Sequence, residues 1–279
     1  MRVLILGGRG MLGHALRREL SRRHEVTATV RGNAGEPGLV GGVDVLAPGT
    51  LEALLERVRP QAVVNAVGLV KQRREAEDVV AAIETNALLP HRLARLCTRA
   101  GARLVHFSTD CVFSGDRGLY AERDRPDPVD TYGRSKLLGE VGAPHLTLRS
   151  SIIGLEIGRA QGLVEWFLAS RGKIGGYRRA IWSGLTTAEM ARLVGRVLAD
   201  HPALAGLYHV AAEPIDKHSL LTRLARELGR GDVTIEPVDE PSCDRSLDGS
   251  AFAAATGYRV PSWDEMLREL AQEVRARRA

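Results

Sequence analysis

The sequence predicts an α/β fold: a doubly wound parallel sheet in the first half of the chain and a smaller lobe toward its carboxyl end. Three observations predict it. Short apolar runs alternate with helical stretches from the first residues onward, four glycines follow the first run directly, and the alternation gives way after Gly154 to an irregular, glycine-rich stretch. Residues 3–6, 25–30, 62–67 and 103–108 read as buried strands, each short, apolar and bounded by turn residues. Residues 11–22, 51–58 and 83–100 read as the helices between them. Such alternation implies βαβ units and a parallel sheet covered on both faces. Residues 146–151 and 206–210 read as further strands, and 187–199 as a helix. Later helices over 218–228 and 263–276 flank a segment dense in Pro, Asp and Ser. The expected division is 1–154 with 185–212 for the sheet, and 155–184 with 213–279 for the lobe.

Composition narrows the function classes. The 279 residues are 44% hydrophobic and 26% charged, ordinary for a globular chain with a substantial core. The net charge of +5 comes mostly from arginine, since the lysines are Lys71, Lys136, Lys173 and Lys217. Arginine forks suit phosphate recognition. The terminal cluster Arg275, Arg277 and Arg278 reads as a solvated tail, and 4% aromatic residues are too few for a single-strand stacking platform. Cys97, Cys111 and Cys243 are odd in number and widely spaced, so neither a disulfide framework nor a metal site is expected. The first apolar run is too short for a signal peptide or membrane span. The expectation is a soluble, reduced, cytoplasmic protein.

Gly7, Gly8, Gly10 and Gly13 satisfy both G-x-G-x-x-G and G-x-x-G-x-x-G between the first strand and the first helix. Glycine there permits a tight turn and close approach of a pyrophosphate, and the helix N-terminus supplies N–H donors. This is a Rossmann-type dinucleotide turn, with Met11 and Leu12 opening the helix. The end of the second strand, where an acid holds the ribose of NAD, carries Arg31 instead. A guanidinium there pairs with the 2′-phosphate of NADP, and Arg9 offers a second contact. Asp44 and Val45 suit an adenine contact, although such an aspartate is equally often a turn residue.

Tyr132 and Lys136 are four residues apart and share one helix face. A tyrosine has a reference pKa near ~10. A neighbouring ammonium lowers it, making the phenol a proton donor to a carbonyl. The plainer alternative is a half-buried tyrosine beside a solvated lysine. His106 and His209 sit within apolar runs and read as packed residues.

With these segments the chain resembles the extended short-chain dehydrogenase/reductase superfamily, and within it the dTDP-4-dehydrorhamnose reductase family. The resemblance rests on Gly7-Gly8-Arg9-Gly10-Met11-Leu12-Gly13, on Asn65-Ala66-Val67-Gly68, on Ser108-Thr109-Asp110 and on Tyr132-Gly133-Arg134-Ser135-Lys136. It implies that Thr109 bonds the substrate oxygen, that Tyr132 donates the proton, and that Lys136 holds the nicotinamide ribose and lowers the tyrosine pKa. It also implies that Asn65, Ala66, Val67 and Gly68 line the cofactor, that Asn86 supports the lysine side, and that Ser150 and Ser151 approach the nicotinamide. Ser108 and Asp110 flank the site.

The chain departs from the family at Cys111, where a tyrosine is usual, and at residues 69–74, where Lys71 and its basic neighbours replace an acidic stretch. Both touch on substrate choice, as do Asp110 and, in the lobe, Trp166, Arg178 and Trp182. The implied activity is reduction of a 4-keto-6-deoxy nucleotide sugar with NADPH, NADH being the alternative cofactor. An epimerase on the same scaffold and a non-catalytic binding subunit are the other readings. A nucleotide sugar is the expected partner, with a homodimer open and neither nucleic acid nor membrane expected.

Overall fold

Four of the five residues in the first strand are buried, as a strand covered on both faces requires. The computed structural model describes residues 1–70, 78–158 and 161–278. Its strands are β1 (Arg2–Leu6), β2 (Glu25–Thr29), β3 (Leu39–Val40), β4 (Ala62–Asn65), β5 (Arg103–Ser108), β6 (Leu146–Arg149) and β7 (Ile152–Ile153). They continue with β8 (Gly172–Tyr177), β9 (Ala180–Trp182), β10 (Leu185–Thr186), β11 (Gly206–His209), β12 (Ile215–Asp216), β13 (Val233–Val238) and β14 (Cys243–Asp244). Seven form one sheet in the order β11-β6-β5-β4-β1-β2-β3, with every neighbouring pair parallel. The chain turns outward from β1 in both directions, toward β2 on one side and β4 on the other. That reversal opens a crevice at the carboxyl ends of β1 and β4.

The helices are α1 (Met11–Leu20), α2 (Thr50–Val58), α3 (Val79–Ala82), α4 (Leu89–Arg99), α5 (Thr131–Leu138), α6 (Leu163–Ala169), α7 (Thr187–Asp200), α8 (Lys217–Leu228), α9 (Ser250–Thr256) and α10 (Trp263–Arg278). The period of two along β1 sorts its residues between two cores. Val3 and Ile5 pack with Leu16 of α1 and Met190 of α7, while Leu4 and Leu6 pack with Leu54 of α2 and Leu93 of α4. The first core runs on without a break through Trp182, Leu220, Phe252 and Trp263, so sheet and lobe segments share it. Among the described residues no helix is long and apolar enough to cross a membrane.

Some boundaries differ from the sequence expectation for local reasons. The strand expected over 62–67 stops at Asn65, whose side-chain Oδ1 takes the Val67 N–H at 3.1 Å. The helix expected to start at 83 starts at Val79, because Asp78 accepts the N–H groups of Val80 and Ala81. It then widens into a π-type segment over Ile83–Leu88 before α4. Pro90 has no N–H to offer the Asn86 carbonyl four residues earlier, which accounts for the widening. The strand expected over 146–151 ends at Arg149, and a separate short strand, β7, follows at Ile152–Ile153. The lobe also holds the ribbon β8–β13 and the three-stranded sheet β12-β9-β14. The glycines and short lengths of these segments hide any alternation.

Candidate active site

The glycine turn lies at the mouth of the crevice. A Cβ at Gly13 would fall 2.0 Å from the Gly7 carbonyl oxygen, so no side chain fits where α1 meets the turn. Gly10 caps α1 without a side-chain bond, and the first turn carries no acid. The N-terminus of α1 is therefore a cradle for an anion, with the Ala66 carbonyl opposite it. Arg9 is already engaged. Its guanidinium donates to Asn33 O at 2.8 Å and to Ala34 O, which fixes the loop after β2 beside the turn. Arg31 is exposed, and among the described residues it has no hydrogen-bond or ion-pair partner.

The other cofactor candidates divide. Asp44 uses Oδ1 to hold the Leu46 N–H at 3.0 Å, as a turn residue does, and Val45 is packed in the second core. Asn65 bonds Val67 and, at 3.2 Å, His106 Nδ1, so its amide shapes the strand end. Ser150 is buried and donates to Ser151 O at 3.2 Å, just beyond β6. Asn86 is consumed as a clamp: it exchanges two bonds with the Leu69 backbone and donates to Ser135 Oγ at 3.1 Å, next to Lys136.

The chemistry-bearing side chains gather where α5 meets the end of β5. Asp130 caps α5 by accepting the Gly133 N–H at 2.8 Å. Gly133 presses on the turn after β5, since a Cβ there would lie 2.2 Å from the Cys111 carbonyl oxygen. This contact seats Tyr132 beside Thr109, whose hydroxyl is close enough to favour the phenolate. Thr109 donates in turn to Asp110 Oδ1 at 3.1 Å and accepts the Cys111 N–H at 3.2 Å. Lys136 is buried and donates to Phe107 O at 2.6 Å, two residues before Thr109.

Burial dominates the electrostatics. It pushes Lys136 down to about 8 and the Cys111 thiol up to about 12. It raises Asp110 and raises the Tyr132 phenol, with the Thr109 hydroxyl opposing the latter. The expected lowering of the tyrosine pKa by Lys136 is therefore not present in the chain by itself. Burial is the largest influence on the phenol, and Lys136 is not among the groups that shift it.

The lobe contributes differently from expectation. Trp182 is 4% exposed, tilted against Trp263 at 49° and covered by the Lys217 ammonium at 3.7 Å, so its ring has no free face for a base. Arg178 is paired with Asp239 at 2.6 Å, and Trp166 is an exposed residue of α6. Neither makes a described contact into the Thr109–Tyr132 cluster. Lys71 lies outside the described residues. Lys217, which the sequence reading passed over, stands within electrostatic reach of Asp110 and Cys111. A signal was present: it directly follows the capping Asp216, at a helix N-terminus that disfavours positive charge.

A buried polar network supports this floor. Arg149 pairs bidentately with Glu140 at 2.6 Å, Ser108 donates to Glu140 at 2.6 Å, and Arg149 donates to His209 Nε2 at 3.2 Å. His209 Nδ1 meets Tyr120 O at 2.9 Å, so the ring is neutral with its proton on Nδ1. Burial lowers the pKa of both His209 and His106. The unfolded chain then binds more protons than the folded one below the ordinary histidine value of 6.5. Stability is expected to hold above pH 6.5 and to fall as pH drops through that value toward the lowered folded values. The slope should approach ~1.4 kcal/mol per pH unit for each histidine. Urea titrations between pH 7.5 and 5.5 check this; a flat profile would mean that neither ring is held neutral.

The family model described as RmlD substrate binding domain matches residues 1–153. The chain belongs to this RmlD family. Among curated proteins the chain is similar to a dTDP-4-dehydrorhamnose reductase of Burkholderia thailandensis, 33% identical over 179 residues, 62% of this chain and 52% of that one. The mouse methionine adenosyltransferase 2 subunit beta is 29% identical over 161 residues, 56% of this chain and 46% of that one. The chain thus spans about half the length of these relatives. Among solved structures, a dTDP-4-dehydrorhamnose reductase of Bacillus anthracis in complex with NADP superposes with a TM-score of 0.84 at 22% identity, covering 98% of this chain and 99% of that one. At that identity the likeness establishes the shared fold. The RmlD match ends at Ile153, just where β7 ends, and so leaves the lobe to the geometry above.

Proposed function

We propose that this RmlD-family chain is an NADPH-dependent reductase of a 4-keto-6-deoxy nucleotide sugar, acting in the cytoplasm in deoxysugar biosynthesis. The observation that carries the reading is the convergence of Tyr132, Thr109 and Lys136 at the end of β5, on the same sheet edge as the α1 cradle. The cradle fits a dinucleotide: the Gly13 contact leaves no room for a side chain, the α1 N–H groups face no competing acid, and Arg31 suits a 2′-phosphate. When bound, NADPH supplies a hydride to the carbonyl carbon.

The chain's own residues do the rest. Tyr132 gives its proton to the carbonyl oxygen, and Thr109, beside it, hydrogen-bonds the same oxygen. A phenol keeps its proton at neutral pH, as a donor must, while burial alone makes Tyr132 a weaker acid than a free tyrosine. Dehydration needs a base after Thr109 and Asp110, and the Cys111 thiol, pushed up to about 12, does not serve. The likeness to methionine adenosyltransferase 2 subunit beta supports a second reading, a binding subunit without turnover.

Stoichiometric oxidation of NADPH by a dTDP-4-keto-6-deoxyhexose tests the proposal. Net consumption of one NADPH per sugar supports reduction. Interconversion without net consumption indicates an epimerase, and binding without turnover indicates the subunit reading. For the cofactor, Arg31→Asp is expected to weaken NADPH by about tenfold to a hundredfold and to spare NADH. Equal affinities for both cofactors in the unmodified protein would make Arg31 a surface residue only.

A further inference from the structure

We propose that Lys217 is a substrate-binding residue, whose ammonium donates hydrogen bonds to oxygens of the sugar ring beside the reacting carbon. The inference rests on the nucleotide-sugar reading above and adds a contact from the lobe. The position is built by strand register. β12 runs antiparallel to β9, pairing Ile215 with Trp182 and Asp216 with Ile181, and Lys217 follows as the first residue of α8. Asp216 fixes that start by accepting the Ser219 N–H and hydroxyl at 2.8 and 2.6 Å. The ammonium then rests 3.7 Å from the centre of the Trp182 ring, a cation–π seat on a side chain that is itself only 4% exposed.

Two features point to a polar, uncharged ligand group there. Lys217 is half-buried, yet among the described residues its three N–H donors have no hydrogen-bond acceptor. Trp182 Nε1 beneath it is also buried without a partner. A partly desolvated ammonium with unused donors is costly unless a ligand completes it. The same ammonium lies within electrostatic reach of Asp110, which partly offsets its charge and disfavours a dianionic diphosphate at this spot. Asp110 also accepts the Thr109 hydroxyl, and Thr109 stands beside Tyr132, so Lys217 borders the proton donor and faces the sugar end of the ligand. Burial holds the ammonium down to about 8, as expected for a cation kept partly dry.

Isothermal titration of the full chain in the presence of NADP⁺ tests this, with dTDP-rhamnose and dTDP as probes. Lys217→Met should weaken dTDP-rhamnose by about tenfold to a hundredfold while dTDP and NADP⁺ stay within about twofold. Lys217→Arg should recover much of the loss. Unchanged dTDP-rhamnose affinity in a folded Lys217→Met protein overturns the proposal. So does an equal loss for dTDP and dTDP-rhamnose, which would assign the lysine to the diphosphate or to general shape. If Lys217→Met does not fold, wild-type binding of dTDP-rhamnose no tighter than dTDP overturns the proposal, and tighter binding that Lys217→Arg retains supports it. Binding of neither probe by the wild type removes the nucleotide-sugar reading, and the Lys217 contact with it.

Discussion

Tyr132→Phe is expected to lower NADPH-dependent turnover by about a hundredfold to ten-thousandfold, with cofactor affinity unchanged. Phenylalanine keeps the ring that fills the space between α5 and the turn after β5, and removes only the hydroxyl that meets Thr109. Thr109 keeps its bonds to Asp110 and Cys111, so the turn itself should survive. The loss should appear in kcat more than in KM, because proton donation is realised in the transition state. Lys136→Ala should differ by loosening the cofactor as well. Wild-type turnover by a folded Tyr132→Phe protein would take the phenol out of the mechanism and leave the subunit reading ahead.

The largest expected effect on stability is at Glu140. Its carboxylate receives two guanidinium bonds from Arg149 and the Ser108 hydroxyl, at side-chain exposures of 10% for Glu140 and 5% for Arg149. Glu140→Gln preserves shape but leaves the guanidinium buried without its counter-charge. Breaking a buried pair from one side costs about 3–5 kcal/mol. Exchanging both partners for apolar residues is milder in general, yet here Arg149 also holds His209, so a double replacement should recover only part of the loss. Urea denaturation of the single and double variants measures both. A loss under about 1 kcal/mol in Glu140→Gln would show that water reaches Arg149 and that the network is looser than its distances suggest.

The central sheet was legible in the sequence because strands such as β1 and β4 are continuous apolar runs closed by turn residues. Their pattern survives without tertiary context. The glycine turn and the Tyr132–Lys136 spacing were legible for the same reason, being local. The lobe was not. β8 is Gly-Lys-Ile-Gly-Gly-Tyr, and β9, β12 and β14 are two or three residues long, so their pairing is decided by partners distant in sequence. Trp182 read as a substrate contact for that reason, and Lys217 carried no reading at all. Asn86 was readable as a support, but its clamp on Leu69 and Ser135 depends on the widened helix at Pro90, which no simple periodicity announces. The protonation states lay further out of reach, since burial sets them for Tyr132, Lys136 and Asp110.

The strand order β12-β9-β14 has a bearing on how such a chain can change its substrate. Lys217 and Arg245 reach the Thr109 turn from separate stretches of chain, Trp182 seats the Lys217 ammonium from a third, and Arg245 bonds both Ile181 O at 3.0 Å and Phe113 O at 2.8 Å. No single cassette carries this cluster of side chains. A recombination that imported residues 155–184 from a relative would bring a new β9 and leave its old neighbours on either side. Specificity in this architecture is therefore more open to substitutions made one residue at a time, within a frame stitched from both ends, than to the exchange of loops.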